Sequence, residues 1–450
     1  MQVLNKASGK IEKAWGKQKI KDCQYRLMKY TISENCDDGL LLHNVITGEL
    51  VLLDENEKSL LDNLPCKTDE KYFELIEKHF LVPIDFDERK IVGQLRQLLT
   101  LLEKKGNITG YTILPTTYCN ARCFYCYECD FKHVHMTEEI AHDAVQYMIK
   151  HSGGEKISIG WFGGEPLVGV KIISQISREL IENGVEFSSS MISNGALFNE
   201  KLVEEAKTLW NLKSVQITID GTEKIYNEVK DYVSMKGSPY LTVLNNIRML
   251  SEAGIKVSIR INLGFHNVDD TKKLIEELCE RFSYCENVSM YVHELFENEG
   301  TEPTKYTDEQ RNFLTNQVIE FDRFISEHSK YIAKAKQGLP SLNISHCMAD
   351  NDHSVIINPD GVLTKCEHFS SEDGFGTIYS DEWNKEKLAQ YKKHAEIVKC
   401  YDCPLYPKCY FPLKCPEVGV CSEVKRLNEI EQVKKVLLSA KIRQDKKRDK

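Results

Sequence analysis

The stretch TTYCNARCFYCYECDF, residues 116–131, places Cys119, Cys123, Cys126 and Cys129 within eleven residues. Crowded thiols have no packing rationale in a soluble protein and read first as metal or cluster ligands. The first three are spaced C-x3-C-x2-C, and Cys129 follows after another two residues. Three thiolates from one short loop suit three corners of a [4Fe–4S] cube, which four would saturate. With three, one iron keeps an open position for a ligand bearing amine and carboxylate groups. The competing reading is structural zinc, which takes four ligands, usually as CxxC pairs; Cys129 would complete that set. A second concentration, seven cysteines, runs from Cys347 to Cys421. Its spacing is Cys347, then Gly361-x4-Cys366, then Cys400-x2-Cys403-x5-Cys409-x5-Cys415-x5-Cys421. Cys23, Cys36, Cys66, Cys279 and Cys285 are scattered and read as small buried or neutral residues.

CNARCFYC resembles the hallmark of the radical S-adenosylmethionine (SAM) superfamily, C-x3-C-x-aromatic-C, with Tyr125 in the aromatic slot. The resemblance continues in order along the chain. The family's GGEP segment, here Gly163, Gly164, Glu165 and Pro166, receives the methionine amino group. Its glycines let backbone carbonyls approach a ligand, and Glu165 offers an acceptor. Ser193 and Asn194, in SNG, stand where the family binds the methionine carboxylate or ribose. QITIDG looks like the family's Q-x-S-x-D-G and implies Gln216 and Asp220 near SAM or substrate. Arg260, in IRIN with Asn262, is suited to pair the SAM carboxylate. Where members often carry an arginine ten residues after the aspartate, this chain has Lys230. The chemistry implied is reductive cleavage of SAM to methionine and a 5′-deoxyadenosyl radical, which takes a hydrogen atom from an unactivated carbon. The protein's part is placement and exclusion of water.

The second concentration resembles the SPASM extension of the same superfamily, which houses two auxiliary [4Fe–4S] clusters. Its usual pattern is C-x9-15-G-x4-C, then C-x2-C-x5-C-x3-C, then a last C. Thirteen residues separate Cys347 from Gly361, and the x2 and x5 spacings agree; the departure is x5 before Cys415. Carried over, Cys400, Cys403, Cys409 and Cys421 would ligate an outer cluster, and Cys347, Cys366 and Cys415 an inner one. CMADNDHSVI supplies no further cysteine before Cys366. The inner cluster is therefore expected to keep an open iron, unless Cys285, His346 or His368 supplies a ligand. Two zinc sites remain the alternative for this region. An open iron suits a soft substrate atom such as a cysteine thiolate. Sulfur joining the carbon that lost its hydrogen would give a thioether crosslink within a ribosomally made peptide.

The main competitor within the superfamily is the anaerobic sulfatase maturase, which makes formylglycine and places an Asp after the second SPASM cysteine. This chain has Glu367 there, a candidate base. An extra N-terminal unit and the missing fourth inner ligand argue against that reading. Epimerisation, carbon–carbon crosslinking and, in another class, a non-catalytic carrier of clusters and peptide are further alternatives. Partners implied by the resemblance are a precursor peptide with a leader and a Cys-containing core, and an electron donor such as flavodoxin or ferredoxin.

These residues need elements to position them. Candidate strands at 111–115, 157–162, 187–192, 214–219, 256–261 and 288–292 alternate with helical patterns such as EEIAHDAVQYMIKH and TVLNNIRMLSEAG. Repeated βα units argue for a parallel sheet with helices outside, and for active residues at the C-terminal strand ends. The expected fold is α/β: a partial (β/α)6 TIM-type barrel with an N-terminal winged-helix-like domain and a C-terminal Cys-rich (SPASM) domain. The divisions expected are 1–95, which resembles a leader-peptide recognition domain; 96–335, the barrel; 336–425, the auxiliary-cluster domain; and 426–450, a basic helix or tail. In the first, YRLMKYTI reads as a strand and GLLLHNVITGELVLLD as a hairpin turning at Thr47-Gly48. Asp54 and Glu57 read as a capping box, and an edge strand there would accept a peptide by β-augmentation.

At 450 residues the chain is long enough for two or three domains. A net charge of −9 carries no nucleic-acid signature. No apolar run approaches the roughly 20 residues needed to cross a bilayer. The N-terminus lacks the apolar stretch of a signal peptide, so a cytoplasmic location is expected.

Overall fold

The structure is a computed structural model that describes residues 1–103, 106–297, 300, 305–328 and 338–448. Its largest sheet begins with six parallel strands: β1 Gly110–Ile113, β2 Ile157–Trp161, β3 Phe187–Ser193, β4 Leu212–Thr218, β5 Lys256–Leu263 and β6 Val288–Glu294. They lie side by side in sequence order. Register pairs Ile113 with Trp161, Trp161 with Met191, Ile192 with Gln216, Thr218 with Arg260 and Asn262 with His293. All six expected strands are present, with ends shifted by up to two residues. Val215, Ile217, Val257, Ile259 and Ile261 are buried, as a parallel strand covered by helices requires.

The crossover helices are Glu138–Ser152, Val170–Glu182, Glu200–Thr208, Pro239–Glu252 and Val268–Arg281. Three of their starts are set by side chains: Thr137, Asn199 and Ser238 each accept the N–H three residues ahead. Trp161 and Trp210 are fully buried in the shared core.

The sheet does not stop at six strands. β7 Ser354–Ile357, from the cysteine-rich region, lies parallel to β1, pairing Val355 with Tyr111 and Ile357 with Ile113. β8 Val362–Thr364 and β9 Gly376–Thr377 continue the sheet antiparallel. These strands are two to four residues long, too short to show a periodicity.

Near the N-terminus, strands Gln2–Asn5, Leu50–Leu53, Gly39–Asn44 and Thr31–Cys36 form an antiparallel sheet in that spatial order. The hairpin is as expected, with Gly48 at φ +75° in its turn. The capping box also forms: Glu57 N donates to Asp54 Oδ1 at 2.9 Å and Asp54 N to Glu57 Oε2 at 3.0 Å. The expected strand YRLMKYTI is instead divided. Gln24–Leu27 pairs with Cys66–Lys67 and Leu81–Pro83 in a second sheet, and Thr31 onward joins the first. Met28 N is bonded to Phe80 O at the break, and the Arg26 guanidinium is pulled onto the Glu88 carboxylate.

Helices Gly9–Trp15 and Glu88–Leu102 pack together through Ile11, Val92, Leu95 and Leu99. Residues 423–448 form one helix, whose Val433 and Leu437 are buried against Leu4, Ile32, Leu41 and Leu50 of the N-terminal sheet. The helix is therefore docked on that sheet through its middle, and farther along Lys441 pairs with Asp38 and Gln444 donates to Leu4 O. No helix among the described residues is long and apolar enough to cross a membrane.

Candidate functional site

Cys119, Cys123 and Cys126 lie in the loop that leaves β1, at the C-terminal edge of the parallel sheet. Burial pushes the Cys119 thiol up to about 11 and Cys126 up to about 12, and raises Cys123 as well. Cys123 adds to the rise at Cys119, and both add to the rise at Cys126. Cys129 is raised by burial and by the charge of Asp130. Among the described residues no three His, Cys, Asp or Glu side chains close on a single metal ion. The donor set of the loop, three soft sulfurs within electrostatic reach but not around one point, fits a body of cube size.

A buried polar network supports this loop from below. The Lys230 ammonium is 2.8 Å from Asp220 Oδ2 and donates to Tyr125 Oη at 2.9 Å and Thr218 Oγ1 at 2.7 Å. Tyr125 Oη donates to Asp220 Oδ2 at 3.0 Å and accepts from Asn262 Nδ2 at 3.1 Å. Asp220 is fully buried and Lys230 nearly so. The Lys230 side chain is held well above the ordinary lysine value by Asp220, against its burial. Its carbonyl accepts from Arg122 N, inside the cysteine loop, at 2.8 Å. Lys230, whose position the family often fills with arginine, is thus a strut between β4 and the loop. Asp220 Oδ1 has no hydrogen-bond partner, which leaves one buried acceptor facing the site.

The glycines after β2 are required by close approach. A Cβ on Gly163, at φ +113°, would sit 2.2 Å from Thr116 O, and one on Gly164 would sit 2.5 Å from Tyr118 O. Glu165 N donates to Tyr118 O at 2.9 Å. The Glu165 carboxylate accepts from Ser193 Oγ at 2.9 Å, Asn194 N at 2.8 Å and Leu167 N at 3.1 Å. Burial pushes it up to about 7. Oε1 takes two of these bonds and Oε2 one, so Glu165 orients Ser193 and Asn194 and keeps acceptor capacity on Oε2. Pro166 opens a short 3-10 turn that is buried beside it. Asn194 Nδ2 donates to Asn120 Oδ1, in the cysteine loop, at 2.7 Å. GGEP, SNG and the cysteine loop are therefore brought together.

On the far strands, Gln216 Oε1 accepts from Tyr291 Oη at 2.8 Å. Arg260 Nη2 lies 3.0 Å from His293 Nδ1, and its guanidinium sits 5.6 Å from the centre of the Phe296 ring. Burial and the Arg260 charge push His293 down to about 4. Arg260 Nε is buried without an acceptor, a vacancy that a carboxylate would satisfy.

The C-terminal cysteines separate into two groups. Cys366 is pushed up to about 12 and Cys415 to about 11 by burial, and each thiol also feels Cys347. Cys409 is pushed up to about 12 by burial, with Cys403, Cys421 and Cys400 adding. The inner group adjoins the first loop, where the Tyr127 ring stacks on His368 at 4.0 Å and Phe296 meets His368 edge-on at 5.0 Å. Glu128 is 8% exposed with Oε1 unpartnered, and burial and then Glu367 push it up to about 8. Two carboxylates, Glu128 and Glu367, thus stand between the loop and the inner group.

The outer group is held partly from outside. Buried Arg96, on the helix Glu88–Leu102, donates to the carbonyls of Asn343, Tyr406, Pro407 and Cys409 at 3.0–3.1 Å. Its guanidinium covers the Tyr410 ring at 4.0 Å. Thr218, His293 and Arg96 had no sequence signal of their own. For Glu128 a hint exists in its place two residues beyond Cys126.

Comparison with known proteins adds to this geometry. Residues 113–278 match the model of the Radical SAM superfamily. The sporulation killing factor maturation protein SkfB of Bacillus subtilis (strain 168) is 26% identical over 199 residues, covering 42% of this chain and 44% of that protein. The chain therefore aligns with less than half the length of that relative. Among solved structures, Streptococcus suis SuiB bound to precursor peptide SuiA superposes with a TM-score of 0.54 at 13% identity, covering 88% of this chain and 99% of the other. Native anSMEcpe with bound AdoMet gives 0.55 at 14% identity, covering 74% and 99%. At such identities the structural likeness speaks for the fold.

Proposed function

Because the chain carries a radical SAM domain, we propose that it is a peptide maturase that installs thioether crosslinks in a ribosomally made precursor. The observation that carries the reading is the Tyr127–His368 stack, which sets the residue after Cys126 against the segment that follows Cys366. It links the loop of Cys119, Cys123 and Cys126 to the region that carries Cys347, Cys366 and Cys415. SkfB, a relative over part of the chain, is by its name a maturation protein, which supports a peptide substrate.

Cys119, Cys123 and Cys126 would hold the cluster that SAM completes. Bound there, SAM and the reduced cluster supply a 5′-deoxyadenosyl radical that removes hydrogen from carbon. Asp220 Oδ1 and Arg260 Nε, both buried without partners, would take a hydroxyl and a carboxylate of SAM. Gln216 and the backbone at Gly163, Gly164, Ser193 and Asn194 line the same end of the sheet. Cys347, Cys366 and Cys415 would hold an inner auxiliary cluster, which would offer a soft site for a substrate thiolate and would take the one electron released when sulfur joins the carbon. Cys400, Cys403, Cys409 and Cys421 would close an outer one. Glu367, which Glu128 feels electrostatically, would accept the thiol proton.

The test uses reconstituted enzyme with SAM, reductant and a short cysteine-containing precursor peptide sought among the reading frames beside the gene. Formation of 5′-deoxyadenosine, loss of two mass units per crosslink and one fewer alkylatable thiol are expected. A product with every thiol still free would eliminate the thioether, and absence of 5′-deoxyadenosine would eliminate the enzyme.

A further inference from the structure

The N-terminal unit, residues 1–102, is fastened to the rest of the chain along three stretches of the C-terminal region. In the first, Pro340 O lies 2.8 Å from His43 Nε2 and Leu342 N donates to Ile46 O at 3.2 Å. The second is the helix 423–448, with Val433 and Leu437 in a shared core and Lys434 and Lys441 paired to Glu34 and Asp38. The third is the loop of the outer cysteines. Tyr30 Oη donates to Tyr401 O at 3.0 Å, Lys29 Nζ meets Asp402 Oδ1 at 2.8 Å, and the Arg89 guanidinium lies 4.7 Å from the centre of the Tyr401 ring. Arg96 takes the carbonyls of Tyr406, Pro407 and Cys409. Cys403 and Leu405 are buried with Ile32, Leu41, Val45 and Leu50, and the Tyr406 and Tyr30 ring centres are 5.7 Å apart. A loop that carries four candidate ligands thus contributes side chains to the core of a different unit.

That loop has little regular structure of its own. Between Cys400 and Glu423 the chain forms turns and one isolated bridge, at Pro412, rather than strands or α-helix. Its four thiols lie within electrostatic reach of one another: Cys400 feels Cys421 and Cys403, Cys403 feels Cys421, and Cys409 feels all three. Lys399 Nζ donates to Gly419 O at 2.8 Å and to Cys421 O at 3.0 Å, which draws the two ends of the loop together. A body held by four sulfurs fits this donor set and would fix the shape that backbone bonding does not. The other two stretches lean on the same loop. Asn343 N donates to Pro407 O at 3.0 Å and its Nδ2 to Lys408 O at 2.9 Å, while Lys408 Nζ meets Glu429 Oε2 at 3.2 Å.

We propose that the outer cysteine set is a joint, in which a cluster on Cys400, Cys403, Cys409 and Cys421 fixes the loop as a socket for the N-terminal unit. Tyr30, Arg89 and Arg96 close the socket from the other side, so the N-terminal unit is itself part of the cluster's site. The two events are reciprocal: filling the site strengthens docking by the same factor by which docking strengthens filling. A chain without this cluster keeps its barrel, whose core is separate, but holds residues 1–102 less firmly. Whatever that unit recognises is then presented to the barrel in a fixed place only by chains whose last cysteines are loaded. The assignment rests on the reading of these four cysteines as cluster ligands.

The test is hydrogen exchange on the full chain after reconstitution with iron and sulfide, with iron counted in the same samples. Cys421→Ser should lose one cube and speed exchange about tenfold in the helix Glu88–Leu102 and the strand Thr31–Cys36, with β4 unchanged. Cys366→Ser, in the inner set, should also lose a cube but leave exchange in both of those elements as it was. Arg96→Ala should lose the same cube as Cys421→Ser, so the double variant should hold as much iron as either single one. The wild-type chain before and after loading gives a reading that needs no variant: loading should slow exchange at residues 88–102. Lost iron or loading with unchanged exchange there, or equal acceleration by Cys366→Ser, overturns the proposal and leaves the outer-cluster reading standing. Full iron in Cys421→Ser ends that reading, and the proposal with it.

Discussion

The two cysteine regions of this molecule are positioned by different means. The loop of Cys119, Cys123 and Cys126 is supported from inside its own sheet. Lys230, Asp220, Tyr125 and Asn262 form a closed buried network beneath it, and Gly163 and Gly164 let the next loop press against it. The region from Cys347 to Cys421 has short strands, turns and 3-10 segments, and it takes support from elsewhere: β1 supplies the partner for β7, and Arg96 holds four carbonyls around the outer group. The difference teaches where rigidity comes from. A buried network fixes ligands before any cluster arrives, whereas a region of turns relies on neighbours and on what it binds.

That contrast can be broken by mutation. The largest effect is expected from Cys126→Ala, which should abolish 5′-deoxyadenosine formation, while Cys129→Ala, outside the coupled set, should leave it largely intact; product chromatography reads both. Lys230→Ala removes one member of a buried ion pair and leaves Asp220 uncompensated. It should cost about 3–5 kcal/mol in denaturant unfolding, far more than an exposed lysine. Arg96→Ala should cost about 1.5–3 kcal/mol by stranding buried carbonyls. Its sharper signature is selective: iron content should fall by one cube per chain while SAM cleavage persists. Equal loss at both regions would show that they are not independently supported.

The smallest effect is a slope. Burial raises the Glu165 carboxyl to about 7 in the folded chain from an ordinary 4.5. The folded state then holds a proton that the unfolded state has released. Stability from this group is present in full below pH about 4.5 and is lost as pH rises through about 7. Urea midpoints of the cluster-free protein should decline across that window, and Glu165→Gln should flatten the decline.

The barrel strands were legible because buried parallel strands are apolar runs bounded by helical patterns, and the C-x3-C-x2-C, GGEP, SNG and QITIDG segments fall at their ends in order. β7–β9 were not, because strands of two to four residues carry no period and are chosen by the edge they meet. Nor was the pairing of Lys230 with Asp220 and Tyr125. A lysine ten residues from an aspartate says nothing about whether a third residue, 105 positions from that lysine, closes the network. Arg96 looked like one more helix charge; only the fold turns it toward the turns around Cys409. The split of YRLMKYTI has one trace in the sequence, the adjacent apolar pair Leu27-Met28 that interrupts a loose alternation where the strand changes sheets.

The shared sheet has a consequence for synthesis. β1 pairs on one side with β2, about 45 residues later, but its other partner, β7, emerges only after the whole barrel has left the ribosome. Such a long-range pairing is slow to form because loop closure precedes any gain from contact. Until then the barrel carries a bare, flat edge of the kind that recruits other chains. A polypeptide ending before residue 354 would keep that edge permanently. The cysteine-rich region thus acts, beyond any cluster it binds, as the stop that makes the nascent barrel safe from its neighbours.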